Sequence, residues 1–320
     1  DQTTTEGEAA ATSTSASTHN IAVAAVADGP NISGIAAGNE DQLISVPVTI
    51  SRIDADGSES YDFATITVPT GVTLSYTALP FGITATAVAG GYTFVPGAAT
   101  TSAQFEQFLA NNIRVQAPLH SDGEFDVTVK AGTIESVLSG GEVTLLRRDG
   151  IVTIPVTVTA VADQPAISGS SAIDEDISGI VGDDIVINLV DTDGTEHISS
   201  VSVTGFPVGS VITYTPVGGG APVTITVPAG GTTVTFTGGT AAEIRAALDT
   251  LALKAPLHTD QNITLSVSAT TTDNDSSTAT ITTPFVVVVA AIADGPNIAG
   301  STSGNEDQLI SVPVTISRID

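Results

Sequence analysis

The residues of this chain with the means to do chemistry are carboxylates, and they recur in a fixed order. A linker Asp stands in AD-x-P at Asp28, Asp163 and Asp294. An acidic turn follows each, with Glu40 and Asp41, Glu175 and Asp176, and Glu306 and Asp307. Next comes D-x-D-G-[ST]-E, carrying Asp54, Asp56 and Glu59, then Asp191, Asp193 and Glu196, with Asp320 beginning it again. Acid pairs precede two of the linkers, Glu6 with Glu8 and Asp273 with Asp275, where the corresponding stretch between them has only Glu135. Well over half of the 35 acidic residues fall in these groups. Holding carboxylates within ~5 Å of one another costs on the order of 1–3 kcal/mol per pair at a surface-like dielectric, and a divalent cation offsets that cost. With no Cys and four scattered His, the donors are oxygens. All-oxygen sites favour Ca²⁺, which takes about 6–8 of them in flexible geometry, over Zn²⁺ or copper. An acidic solubility coat would spread its charge, whereas these acids bunch at the linkers.

Other chemistries fit less well. An EF-hand counted from Asp54 or Asp191 needs a bidentate Glu at its twelfth position, and Thr65 and Ser202 stand there. The glycine-rich nonapeptide of calcium β-rolls is missing. No signature places a nucleophile beside a base. Paired carboxylates serve glycosidases, but a sugar site adds stacking aromatics, and the chain has four Tyr, nine Phe and no Trp. The chain therefore reads as a non-enzyme. His120 and His258 share the motif A-P-L-H-[ST]-D. Each is expected to be a neutral ring that orients its own loop by hydrogen bonds, in preference to a metal ligand. The sequons at Asn31, Asn262 and Asn274 leave glycosylation open.

The acids are spaced by a repeat. Residues 38–54 return letter for letter as 304–320, and a diverged version lies between them. The linker Asp residues step by about 130 residues, the size of one domain. The expected organisation is 1–27 as the last strands of a preceding repeat, 28–162 as repeat one, 163–293 as repeat two, and 294–320 as the head of a further repeat. Repeat one resembles the start of the third more than it resembles repeat two, which implies two alternating domain types. A balance of 8 basic to 35 acidic residues repels nucleic acid and anionic membrane. The longest apolar run, Phe285 to Ala293, falls far short of the ~20 residues of a membrane-spanning helix and reads as a buried strand. The first residues lack the basic start and apolar stretch of a signal peptide, so any export signal is expected outside this sequence.

Alternating apolar positions mark the elements that must hold the acids. They include Val46/Val48/Ile50, Phe125/Val127/Val129, Val143/Leu145 and Ile263/Leu265/Val267. Seven to nine short strands per repeat, with frequent turn signals, predict an all-β fold of tandem Ig-like or cadherin-like sandwiches. One short helix interrupts each. Thr101-x-x-Gln104 and Thr240-x-x-Glu243 are capping boxes, and Phe105/Phe108/Leu109 and Ile244/Ala247/Leu248 then fall at helical spacing.

The acidic turn, the D-x-D motif and the Asp-x-Pro linker look like the calcium logic of cadherins. Closer still, AD-x-P-x-I, P-x-G-x-x-[LI]-x-Y (Pro69 to Tyr76, Pro207 to Tyr214), the capped helix and A-P-L-H-[ST]-D resemble the tandem extender repeats of large type I-secreted bacterial adhesins, the RTX adhesins. The resemblance implies an extracellular, cell-surface fibre that projects a distal binding domain for adhesion or biofilm formation, with Ca²⁺ stiffening each joint between neighbouring repeats. On that pattern Asp28, Glu40, Asp54, Asp56 and Glu59 carry the first joint, with Glu6 and Glu8 from the preceding repeat. Asp163, Glu175, Asp191, Asp193 and Glu196 carry the second. Asp294, Glu306 and Asp320, with Asp273 and Asp275, carry the third. Ser136 and Val137 stand where repeat two has Asn274 and Asp275, so fewer ions and a looser hinge are expected at the second joint. Two other functions remain open: a Ca²⁺-dependent module that binds sugar or peptide, and a subunit of a self-assembling surface or matrix filament.

Overall fold

The computed structural model describes residues 26–54, 57–139, 142–191 and 193–319. Two sandwiches are built from the strands in 31–159 and 166–290, each around its own core. In the first, a six-stranded sheet has the order Ala36–Asn39, Glu142–Thr159, Phe125–Ser139, Glu59–Thr67, Gly91–Val95 and Thr84–Val88. A three-stranded sheet of Ile44–Ser45, Ile113–Gln116 and Thr73–Tyr76 lies across the core from it. Ala64, Ile66, Phe94, Val127 and Val129 from one sheet meet Ile44, Leu74, Ile113 and Val115 from the other in a single cluster. The second sandwich pairs a five-stranded sheet, Ser170–Asp174, Thr278–Ala290, Ile263–Thr272, His197–Thr204 and Val234–Thr237, with a four-stranded one. The all-β fold expected from alternation is the fold observed.

The helices are where the capping boxes put them. Ser102–Asn112 and Ala241–Leu248 start after Thr101 and Thr240, and each box closes in both directions. Phe105, Phe108 and Leu109 are wholly buried, so the helix is a plug in the sandwich wall. The P-x-G turns work through backbone geometry. Gly71 and Gly209 sit at φ 95° and 88°, which a side chain disfavours, while Val72 and Ser210 donate to the carbonyls of Pro69 and Pro207.

Two strand expectations need correcting. The run at Phe285 is half-buried, with Phe285, Val287 and Val289 inside while Val286 and Val288 are 40% and 44% exposed. An antiparallel sheet covered on one face exposes alternate residues, however apolar. Val143 and Leu145 lie on a strand but are 66% and 52% exposed. They pair only with Leu138 and Ser136, past Glu135, the last residue of that hairpin paired to the next strand, so no opposing sheet covers them.

Strand direction sets which acids can meet. The strand Ala36–Asn39 pairs in parallel with the exiting strand Glu142–Thr159, Asn39 lying opposite Thr159. Ser170–Asp174 does the same against Thr278–Ala290, Asp174 lying opposite Ala290. Each acidic turn therefore stands at the end where the chain leaves its sandwich. The turn joining the last two strands points back to the end where the chain enters.

Candidate metal centre at the domain joints

At the second joint the exit end of the first sandwich brings Glu40, which is 2% exposed. Its amide donates to Thr159 O at 3.0 Å and its Oε1 accepts from Val161 N at 2.5 Å, so the carboxylate is pinned against the outgoing linker. Beside it Asp41 and His120 both adopt left-handed backbone, φ 58° and 55°. His120 N donates to Asp41 Oδ1 at 2.8 Å, and Asp122 N donates to Asp193 Oδ2 of the next domain at 3.1 Å.

The entry end of the second sandwich supplies the rest. Glu196 Oε1 accepts from Asp163 N at 2.7 Å, and Thr271 Oγ1 donates to Asp163 O at 2.6 Å. Asp191 Oδ1 accepts from Asp193 N at 2.9 Å, an Asx turn that folds D-x-D onto itself. Asp273 Oδ1 accepts from Asn274 N at 2.6 Å, and Asp275 Oδ1 from Ser277 N at 2.6 Å. Glu196, Asp191 and Asp273 are 5%, 6% and 3% exposed. The arrangement repeats one device: one oxygen of a buried carboxylate is tied to a backbone N–H. The other oxygen of Glu40, Glu196 and Asp273 has no hydrogen-bond partner.

This is costly without a counterion. Burial lifts the Glu40 carboxyl to about 7; the Val161 N–H opposes the rise, and the charges of Asp191, Asp273 and Asp41 add to it. Burial also raises Glu196, against the hydrogen bond from Asp163 N and with the charges of Asp163 and Asp191. Asp191 rises by burial, its turn hydrogen bond opposing and Asp193 and Asp273 adding to it. Buried oxygens without partners, in a donor set free of sulfur, fit a hard cation such as Ca²⁺.

No family model matches the sequence, and no curated protein matches it. Among solved structures it is similar to cadherin ectodomain fragments. Human mucin-like protocadherin EC1-2 matches at 13% identity and TM-score 0.33, covering 82% of this chain and 98% of that one. Mouse cadherin-23 EC22-24 matches at 15% and 0.34, covering 82% and 66%. Mouse protocadherin-24 EC1-3 matches at 11% and 0.31, covering 77% and 63%, so this chain spans less than two thirds of that fragment. At that overlap the site reading rests on the chain's own geometry.

The geometry regroups the expected residues. Glu40 belongs with Asp163, Asp191 and Asp273, not with Asp28, because its strand runs parallel to the exit strand. Glu175 likewise joins the third joint: its amide donates to Ala290 O at 2.9 Å and its Oε1 accepts from Ile292 N at 2.5 Å, next to Asp294. Asp273 belongs to the second joint, where its charge reaches Glu40, Asp122 and Asp191, and not with Asp294, because its hairpin turn returns to the entry end; Asp275 lies on the same turn, held by Ser277 N. Glu135 is placed at the first joint by its pairing with Glu59. There Asp28 N donates to Glu59 Oε1 at 2.9 Å, Thr133 Oγ1 donates to Asp28 O, and the second oxygens of Glu59 and Glu135 are again without partners. Among the described residues, the entry-end hairpin thus brings Glu135 to the first joint and Asp273 to the second. Asp54 ends the described stretch before that cluster, and Glu306 is exposed in the third repeat's head. Glu6, Glu8, Asp56 and Asp320 lie outside the described residues.

His120 orients its loop through its amide, and its ring also reaches the linker carboxylate of Asp163. Burial pulls its pKa down, and the hydrogen bond to Asp163 with the charges of Asp163, Asp41 and Asp191 more than reverses that, for a net rise. Asp41 and Asp122 were missed as site residues, although the shared spacing of A-P-L-H-[ST]-D and the acidic turns marked them.

Proposed function

We propose that each joint binds Ca²⁺ and that the chain, divided at 28–162 and 163–293, is an extender segment of a long extracellular fibre. At the second joint Glu40, Asp191, Asp193, Glu196 and Asp273 would hold the ion, with Asp163 at the rim and Asp275 on the adjoining turn. One observation carries the reading: three buried carboxylates, drawn from two sandwiches, each keep one oxygen on a backbone N–H and leave the other without a partner. Bound calcium supplies charge neutralisation that the side chains alone lack, and fixes the angle between the sandwiches. The resemblance to RTX adhesin repeats extends this to a bacterial surface fibre that carries a distal binding domain for adhesion or biofilm formation. No catalytic role is assigned.

The test is small-angle scattering and calorimetry with Ca²⁺ and with EDTA. Calcium that binds only the folded joint stabilises it by mass action. Chelation should therefore lower the melting temperature and shorten the maximum dimension; identical profiles in both conditions would refute the proposal.

A further inference from the structure

At the edge of the all-oxygen cluster stands a second donor set that contains nitrogen. His120 Nδ1 lies 2.6 Å from Asp163 Oδ2 and 3.0 Å from Asp41 Oδ2. At the next boundary His258 Nδ1 lies 2.8 Å from Asp294 Oδ2 and 3.2 Å from Asp176 Oδ2. In each triad the three ligand atoms fall within 4.8 Å of one another. Three donors at ~2.0–2.2 Å from one ion are separated by about 3–3.5 Å in tetrahedral geometry, so only small shifts are needed.

The triads are built, not incidental. Both histidines sit in left-handed backbone, φ 55° and 56°, and so do both turn aspartates, φ 58° and 59°. In both, the histidine amide is held by the same carboxylate that faces its ring, at 2.8 Å and 3.1 Å. The flanking residues differ, Ser121 against Thr259 and Gln164 against Gly295, yet the ring and its two oxygens are placed alike. The side chains are 25–36% exposed, so an ion in solution can reach them.

We propose that Asp41–His120–Asp163 and Asp176–His258–Asp294 are sites for a borderline divalent cation of the Zn²⁺ class, adjoining the calcium cluster at the linker aspartate. Imidazole suits Zn²⁺, Co²⁺ and Ni²⁺ and is a poor ligand for Ca²⁺, which takes oxygens. Without metal, Nδ1 keeps its proton and donates to the linker carboxylate; on binding, that proton leaves to solvent and the lone pair goes to the ion. Each ion would tie a sandwich's own loop to the linker that leads into the next one. The proposal does not depend on the calcium reading, because its donors include the one atom type that reading excludes.

The test is titration calorimetry of the whole chain with Zn²⁺ under saturating Ca²⁺, repeated with Co²⁺ to read its visible absorption bands. One Zn²⁺ per triad is expected, with dissociation constants in the micromolar range or below. His120→Asn should remove one of the two, and His120→Asn with His258→Asn should remove both while leaving the calcium-induced rise in melting temperature intact. Should a histidine variant fail to fold, Asp41→Asn with Asp176→Asn keeps the acceptor for the histidine amide and removes an anionic ligand, and should weaken Zn²⁺ at least tenfold. No Zn²⁺ uptake over saturating Ca²⁺, or uptake unchanged in these variants, would overturn the proposal and leave the histidines as hydrogen-bonded latches.

Discussion

Replacing Glu40 by Gln should reverse its effect on stability according to whether calcium is present. The folded-state carboxyl titrates at about 7 against an ordinary 4.5. The folded chain thus holds this proton more tightly than the unfolded chain does. Stability in the absence of metal therefore falls as pH rises from about 4.5 to about 7, and the deficit is complete above that range. At ~1.4 kcal/mol per pH unit the penalty is about 3.5 kcal/mol, and water reaching the joint reduces it to about 1–3 kcal/mol. Glutamine keeps an oxygen for Val161 N–H and sets an NH₂ donor where Oε2 stands without a partner. In EDTA at pH 8 the variant should melt about 3–10 °C above wild type for a domain of this size. At pH 5 the gap should close, because Glu40 is already protonated. In saturating Ca²⁺ the order should invert: wild type gains about 2.7 kcal/mol at a hundredfold excess over the dissociation constant, and the variant has lost a ligand. Calorimetry under these conditions decides it. A variant that is destabilised equally with EDTA and with calcium, at both pH values, would show that Glu40 only anchors the linker and would refute the electrostatic reasoning.

Asp275→Ala gives the second joint the acid-poor hairpin of the first, and titration calorimetry should show weaker or fewer calcium ions; unchanged uptake would remove the hairpin turn from the ligand set. Thr101→Ala opens a closed capping box and should cost about 1 kcal/mol in denaturant unfolding, with no change in calcium affinity. Phe108→Ala empties a wholly buried site among Phe94 and Phe105 and should cost about 3–5 kcal/mol, far more than any joint substitution in EDTA.

The parts legible in sequence were those set by neighbouring residues. Thr101 and Thr240 fixed both helix starts because a capping box closes over three residues. The alternation of Ile263, Leu265 and Val267 gave the buried face of a strand directly, each being buried in turn. Which acids would share a joint was not legible, since that depends on strand direction and pairing. Glu40 follows Asp28 closely in the chain, yet its strand runs toward the exit end, so it meets residues more than a hundred positions away. Glu135 and Asp273 were misassigned for the converse reason: a hairpin turn returns to the end from which the chain set out. The triads were half legible, because spacing showed A-P-L-H-[ST]-D but gave no hint that the linker Asp folds back onto the ring.

The regrouping changes what a repeat contributes to a fibre. Each sandwich carries at its exit end a fixed kit of acidic turn and histidine loop, nearly the same in both repeats: Glu40, Asp41 and His120, then Glu175, Asp176 and His258. Its entry end varies, with Asp273 and Asp275 on a short turn in one type and, at the matching positions, Glu135 and Val137 on a longer hairpin in the other. The character of a joint is therefore set by the domain that follows it. Residues 293–320 copy 27–54 apart from a few positions, so the third joint leads into a head of the first type. If that head continues as repeat one does, the two kinds of entry-end hairpin alternate along the array. The same entry-end oxygens that burden a calcium-free joint are what calcium would neutralise, so stiffness becomes a property of domain order as much as of ion concentration.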